Sequence, residues 1–173
     1  MASFTDRLIG AARLDVRTYE EVENDPGALG QALGVVVLSS LAAGIGAAGL
    51  RGGAGVALGI VGALIGWAVW AWLTYMIGTR LLPTAQTHAD WKQLLRTTGF
   101  ASAPGLIRVA GLIPLIGWFV YLIAGIWMLA AFVVAVRQAL DYTSTLRAVG
   151  VCVLGWIAYA LISLLFIGLT PRG

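Results

Sequence analysis

The chain has 173 residues, of which 60% are hydrophobic and only 11% charged, and its formal charge is +3. A soluble domain carries about 25% charged residues, so an ordinary water-soluble protein is excluded. At about 20 apolar residues per crossing the length admits five or six membrane helices and leaves no room for a separate soluble catalytic domain.

Residues 1–27 are too polar for a signal peptide, which needs an early apolar core. Phe4, Leu8, Ala11, Ala12, Tyr19 and Val22 share one side of a helical wheel, with Arg7, Arg13, Arg17 and Glu21 opposite and Asp15 intruding among the apolar set. The pattern predicts one amphipathic helix lying on the membrane surface. Glu20, Glu21, Glu23 and Asp25 close it before Pro26.

The first span is expected at 28–50 and the second at 54–77, joined by the tight turn Arg51-Gly52-Gly53. Gly30/Gly34, Gly55/Gly59 and Gly62/Gly66 are GxxxG pairs, expected to let helices pack closely within the bundle or against a partner copy. Gly44-Ile-Gly46-Ala-Ala-Gly49 matches the letters of a dinucleotide fingerprint, but no strand precedes it and no acid follows at the required distance. Trp67, Trp70, Trp72 and Tyr75, and Trp118 with Tyr121, fall where aromatic belts anchor spans.

Within the loop that follows, Thr87-His-Ala-Asp90 has the form of a capping box and Gly99 suits a helix end, so 88–98 is expected to be a second interfacial helix. Spans at 100–116, 118–136 and 148–169 complete the bundle, and 170–173 is a short external tail. A cytoplasmic N-terminus would place Arg7, Arg13, Arg17, Arg80, Lys92, Arg96, Arg137 and Arg147 inside and only Arg51 and Arg172 outside, in accord with the positive-inside rule.

The third span is the least ordinary, because it carries Arg108 between Pro104 and Pro114. A charge in a span is costly and marks a functional site by default. Pro104-Gly105 interrupts the helical ladder on the cytoplasmic side, and Arg108 leans toward that side. Snorkelling, or a structural ion pair with Asp141 or Asp90, is the leading reading for it. A contact for an anionic lipid headgroup or solute is the second. The candidate site is therefore Arg108, Pro104, Gly105, Pro114 and Asp141.

Catalysis finds no support in the residues. The only cysteine is Cys152 and the only histidine is His88, which reads as a loop residue, so an intrachain disulfide, thiolate clusters and two-histidine metal sites are excluded. No GxSxG, HExxH or CxxC motif occurs, and no acid lies inside a span to couple transport to protons or cations. No enzyme activity, cofactor, metal or nucleic-acid partner is expected.

Asp25-Pro26 before the first span, Thr98-Gly-Phe-Ala-Ser-Ala-Pro-Gly105, Leu112-Ile-Pro114-Leu-Ile-Gly117, and Trp127 followed by Val134-Ala-Val-Arg-Gln-Ala-Leu140 carry a resemblance to the Yip1 domain family, in particular its bacterial members. The similarity covers about residues 20–169. It implies five helices, a cytoplasmic N-terminus and no known catalytic activity. The chain lacks the long N-terminal region and the Asp-Leu-x-Gly-Pro motif of the eukaryotic members, so their role with Rab GTPases does not carry over. The expected fold is an all-α, polytopic bundle of five transmembrane helices with two amphipathic interfacial helices, in a bacterial inner membrane. The expected function is a non-enzymatic scaffold or adaptor for protein or lipid partners, including copies of itself joined through Gly-rich faces. The alternative is a carrier or channel for a small solute or anionic lipid, with Arg108 as the anion contact.

Overall fold

The computed structural model describes residues 2–47, 53–113 and 115–169. Its regular elements are all helical: α1 (Phe4–Ala12), α2 (Val16–Asn24), α3 (Ala28–Gly46), α4 (Gly53–Met76) with a π-helical extension (Ile77–Leu81), α5 (Trp91–Phe100), a 3-10 helix (Ala103–Leu112), α6 (Gly117–Ala139) and α7 (Thr145–Leu169). Four of these, α3, α4, α6 and α7, are long and apolar enough to cross a bilayer. Their outer faces carry exposed Leu58, Ile65, Leu122, Ile126, Ile157 and Leu161, while Ala32, Ala71, Ala124, Ala131, Ala135 and Ala148 fill the inside. Small residues inside and large ones outside are what close helix approach in lipid requires.

The expected span at 100–116 is not one α-helix. α5 ends at Phe100, and the 3-10 helix begins after Ser102 with proline in its first turn. Pro104 lacks the amide an α ladder would need, whereas the start of a helix does not use it. The two pieces nevertheless run together beside α3. A Cβ on Gly99 would lie 2.7 Å from that of Ala32, one on Gly105 would strike the Ser39 hydroxyl, and one on Gly111 would lie 3.3 Å from the Gly46 carbonyl oxygen. α6 returns antiparallel, with Tyr121 against Gly111 and Met128 against Gly105. Pro114 lies outside the described residues, as do Arg51, Gly52 and Arg172.

The amphipathic N-terminal segment is two helices rather than one. Leu14 adopts a left-handed φ of 62°, and the Asp15 carboxylate accepts from the Arg17 amide at 3.1 Å, ending α1 and capping α2. Asp15 thus breaks the wheel because it is a cap. The two arms fold back on each other at Gly10, where a Cβ would collide with Thr18, and the Tyr19 hydroxyl donates to the Ala11 carbonyl at 3.0 Å. Their apolar face does not lie on lipid. Tyr19 and Val22 are fully buried with Val35, Phe100, Ala101 and Ala135, so the hairpin docks on the bundle.

The apolar face of α5 is likewise buried in protein. Leu94, Thr97, Thr98 and Phe100 are buried where α5 packs on α2, α3, α4 and α6. Its capping box is Asp90 with Gln93, three residues later than the expected Thr87–Asp90 pair, and its C-cap is Ala101 rather than Gly99. Gly99 instead admits Ala32 and Trp67. The GxxxG pairs also differ from expectation: nothing lies within 4 Å of a Cβ at Gly30, Gly34, Gly59 or Gly62, whereas Gly66 receives the Tyr159 hydroxyl. Of the expected cytoplasmic belt, Trp70 is buried and the Trp67 indole donates to Thr98 Oγ1 at 3.0 Å, leaving Trp72 exposed. Trp118 is exposed and stacks on Phe119.

Candidate functional site

The bundle is hollowed on one side, where Gly59, Gly62 and Trp156 are exposed. A cavity of about 600 Å³ lies between α3, α4, α6, α7 and the 3-10 helix. It exists because the facing stretches are small: Ser39, Ser40, Ala43 and Gly44 on α3, and Gly59, Gly62, Ala63 and Gly66 on α4. Across from them stand large side chains, Met128 and Phe132 of α6 and Trp156 and Tyr159 of α7.

Arg108 is the one charged residue in this lining. Its Nε reaches back to the Gly105 carbonyl at 3.0 Å, and Nη2 donates to the Ser39 carbonyl at 3.1 Å and the Ser39 hydroxyl at 2.7 Å. The backward lean matches the direction expected of a helical arginine. The guanidinium is half-buried against the bundle. Among the described residues no carboxylate pairs with it, since both ion pairs belong to Arg7. Three acceptors hold the guanidinium in place without neutralising it, and a partly buried cation in that state favours an anion.

A second polar group in the same wall is unsatisfied. Trp70 is 6% exposed and its indole N–H has no acceptor. Gly155 of α7 packs against it: a Cβ there would stand 2.9 Å from Thr74 Cγ2 and 3.4 Å from the Trp70 Nε1. Buried donors are rarely left unpaired, and this one is shut in by the rings of Phe132 and Trp156.

The structure brings together Arg108 and Gly105, and it buries Pro104 in the first turn of the 3-10 helix. Asp141 belongs elsewhere. It sits in the α6–α7 turn with a left-handed φ of 51°, and the expected ion pair of Arg108 with Asp141 or Asp90 is not formed. Ser39, Trp70, Met128 and Tyr159 escaped the sequence reading. The adjacent hydroxyls of Ser39-Ser40 within an apolar span were the one available signal.

Asp141 instead contributes to a polar cluster where α2 meets the bundle. Arg96 donates to the main-chain carbonyls of Val22 and Glu23, and the Gln93 amide donates to Glu23 Oε1 at 3.2 Å. Burial, followed by the charge of Asp141, pushes the Glu23 carboxyl up to about 7, although Arg96 opposes the shift. Beside it Arg7, only 2% exposed, binds Glu21 at 2.9 Å, Asp25 at 2.7 Å and the Gln31 amide oxygen at 3.0 Å. Hydrogen bonding to Arg7 holds the Glu21 and Asp25 carboxyls below the usual range. Among the described residues no group of three His, Cys, Asp or Glu side chains could hold a metal.

Comparison with curated proteins and with solved structures found no match. Residues 15–167 match the Yip1 domain. That interval takes in α2, every long apolar helix and the proline-marked 3-10 segment, so this multi-pass membrane chain belongs to the Yip1 domain family.

Proposed function

We propose that this chain is a non-enzymatic membrane protein that takes an anionic ligand into the interior of its bundle, with Arg108 as the anion contact. The observation that carries the reading is a half-buried guanidinium, unpaired with any described carboxylate, on the wall of a cavity of about 600 Å³. A closed bundle with a neutralised arginine would have favoured a purely structural role. α5 and the 3-10 helix together serve as a fifth crossing. Ten residues at about 1.5 Å and ten at about 2.0 Å reach roughly 35 Å, enough for a hydrocarbon core of about 30 Å. The basic residues Arg96, Arg137 and Arg147 gather where α2, the end of α4 and the α6–α7 turn meet, which supports a cytoplasmic N-terminus.

The test is native mass spectrometry of gently extracted full-length protein. The parent should retain an anionic lipid or solute, and Arg108→Gln should lower the occupied fraction about tenfold, the worth of one charge-assisted hydrogen bond. Equal occupancy in parent and variant would refute the reading. A second reading, the scaffold or adaptor, draws on the α1–α2 hairpin, whose outer side carries a groove bordered by Arg17, Glu20 and Asn24. Copurifying proteins that are lost when Arg17 and Glu20 are both replaced by Ala would favour it.

A further inference from the structure

We infer that the guest of the Arg108 cavity is a single-chain amphiphile with an anionic head, rather than a compact anion. The inference rests on the reading of Arg108 as the anion contact and goes on to name what the rest of the cavity holds.

The shape is the first argument. The α3 lining runs from Val36 to Ala47, which at about 1.5 Å per residue makes a slot roughly 16 Å long. A volume of about 600 Å³ lies in the range that encloses a ligand of many heavy atoms. A phosphate or carboxylate alone would occupy the neighbourhood of Arg108 and leave the remainder empty.

The wall chemistry is the second. The only charge in the wall is Arg108, beside the Ser39 hydroxyl; Ser40, Ser102, Tyr121 and Tyr159 add neutral hydroxyls, and Val36, Met128 and Phe132 offer apolar surface. A compact anion would have to shed its water for that one point, at a cost a lone guanidinium does not repay. An amphiphile from the bilayer moves its chain from lipid to protein with little change in hydration. Only its head is then discriminated, and the head meets Arg108. A neutral chain fails in the opposite way, because it leaves the cation uncompensated.

The third argument is the glycines. Gly59 and Gly62 line the slot with nothing within 4 Å of where a Cβ would point. Helix packing does not need them small, and their bare, exposed backbone leaves that side of the slot open for a guest to enter.

Full-length protein in phosphatidylcholine nanodiscs, which contain no anionic lipid, is titrated with dodecyl phosphate, dodecanol and inorganic phosphate. Dodecyl phosphate should saturate at one per chain, and both dodecanol and inorganic phosphate should bind at least about tenfold more weakly. Arg108→Gln should weaken dodecyl phosphate about tenfold. Gly62→Leu, whose side chain grows into open space and suits a helix, should also exclude it while leaving thermal unfolding intact. Lysophosphatidylglycerol placed in the disc should compete, marking the bilayer as the source; failure to compete while dodecyl phosphate still binds assigns the same chemistry to an amphiphile arriving from water. Inorganic phosphate binding as tightly as dodecyl phosphate, with both lost in Arg108→Gln, would overturn the amphiphile and leave the anion contact standing. Binding of every probe unchanged by Arg108→Gln would overturn both.

Discussion

Two glycines of α3 separate the packing that holds this fold from the packing that its sequence advertises. A Cβ on Gly46 would land on the Arg108 carbonyl oxygen and lie 3.0 Å from both the carbon of that carbonyl and the Tyr121 hydroxyl. The obstacle is backbone of the 3-10 helix and cannot swing aside. Overpacking of this kind costs about 1–3 kcal/mol. Loss of the Tyr121 hydrogen bond to the Ala43 carbonyl adds about 1 kcal/mol. The helix-propensity gain of Gly→Ala, at most about 1 kcal/mol, is reduced because Gly46 is the last residue of α3. Gly46→Ala should therefore destabilise by about 2–3 kcal/mol, a fall of roughly 5–10 °C in Tm for a chain of this size. Gly34 has open space in place of a neighbour and lies mid-helix, so Gly34→Ala should stabilise by about 0.5–1 kcal/mol, a rise of a few degrees. Both are read from tryptophan fluorescence during thermal unfolding in one detergent. A Gly46→Ala protein as stable as its parent would refute the account of α3 against the 3-10 helix. A Gly34→Ala protein that falls as far as Gly46→Ala would show that the open face packs on another molecule.

Glu23 is protonated more readily in the folded chain than in the unfolded one, rising from 4.5 to about 7. The folded state therefore binds more protons across that window, and stability falls as pH rises from about 5 to 8, by at most about 3 kcal/mol. Glu23→Gln should flatten this dependence and raise Tm at pH 8; an unchanged slope in the variant counts against the burial of Glu23. Trp67→Phe deletes the indole bond to Thr98 that ties α4 to α5. It should cost about 1 kcal/mol, or roughly 2–4 °C, in the same melts, and Thr98→Val combined with it should add less than its separate effect.

Membrane insertion, the long apolar helices and the family were legible because hydropathy and spacing are carried by many residues at once. What failed were features set by contacts distant in sequence. The polar side of residues 1–27 looked like a solvated face, yet Arg7 is buried against Glu21, Asp25 and Gln31, and the apolar side meets α5 and α6. The glycine pairs looked like contact faces because a motif cannot show whether anything lies opposite. Pro104 announced a break in the helix, but not that the chain would resume as a 3-10 helix with Arg108 turned inward. Arg108 was found because a charge in an apolar run stands out. Its partner Ser39 and the unsatisfied Trp70 look like ordinary residues of their helices until α3, α4 and α7 are assembled.

The seat of the α1–α2 hairpin has a consequence for biosynthesis. Glu20 is held by Gln138, and the Ala12 carbonyl by the Trp127 indole, across 118 and 115 residues. The hairpin leaves the ribosome long before α6 exists to receive it. Tyr19 and Val22 must therefore wait, in water or at the membrane surface, while five further helical segments are made. Docking is a late step of maturation, reached only after insertion of the helices that form its seat. A chain stalled before α6 would show a protease or a chaperone an N-terminus that the finished protein conceals.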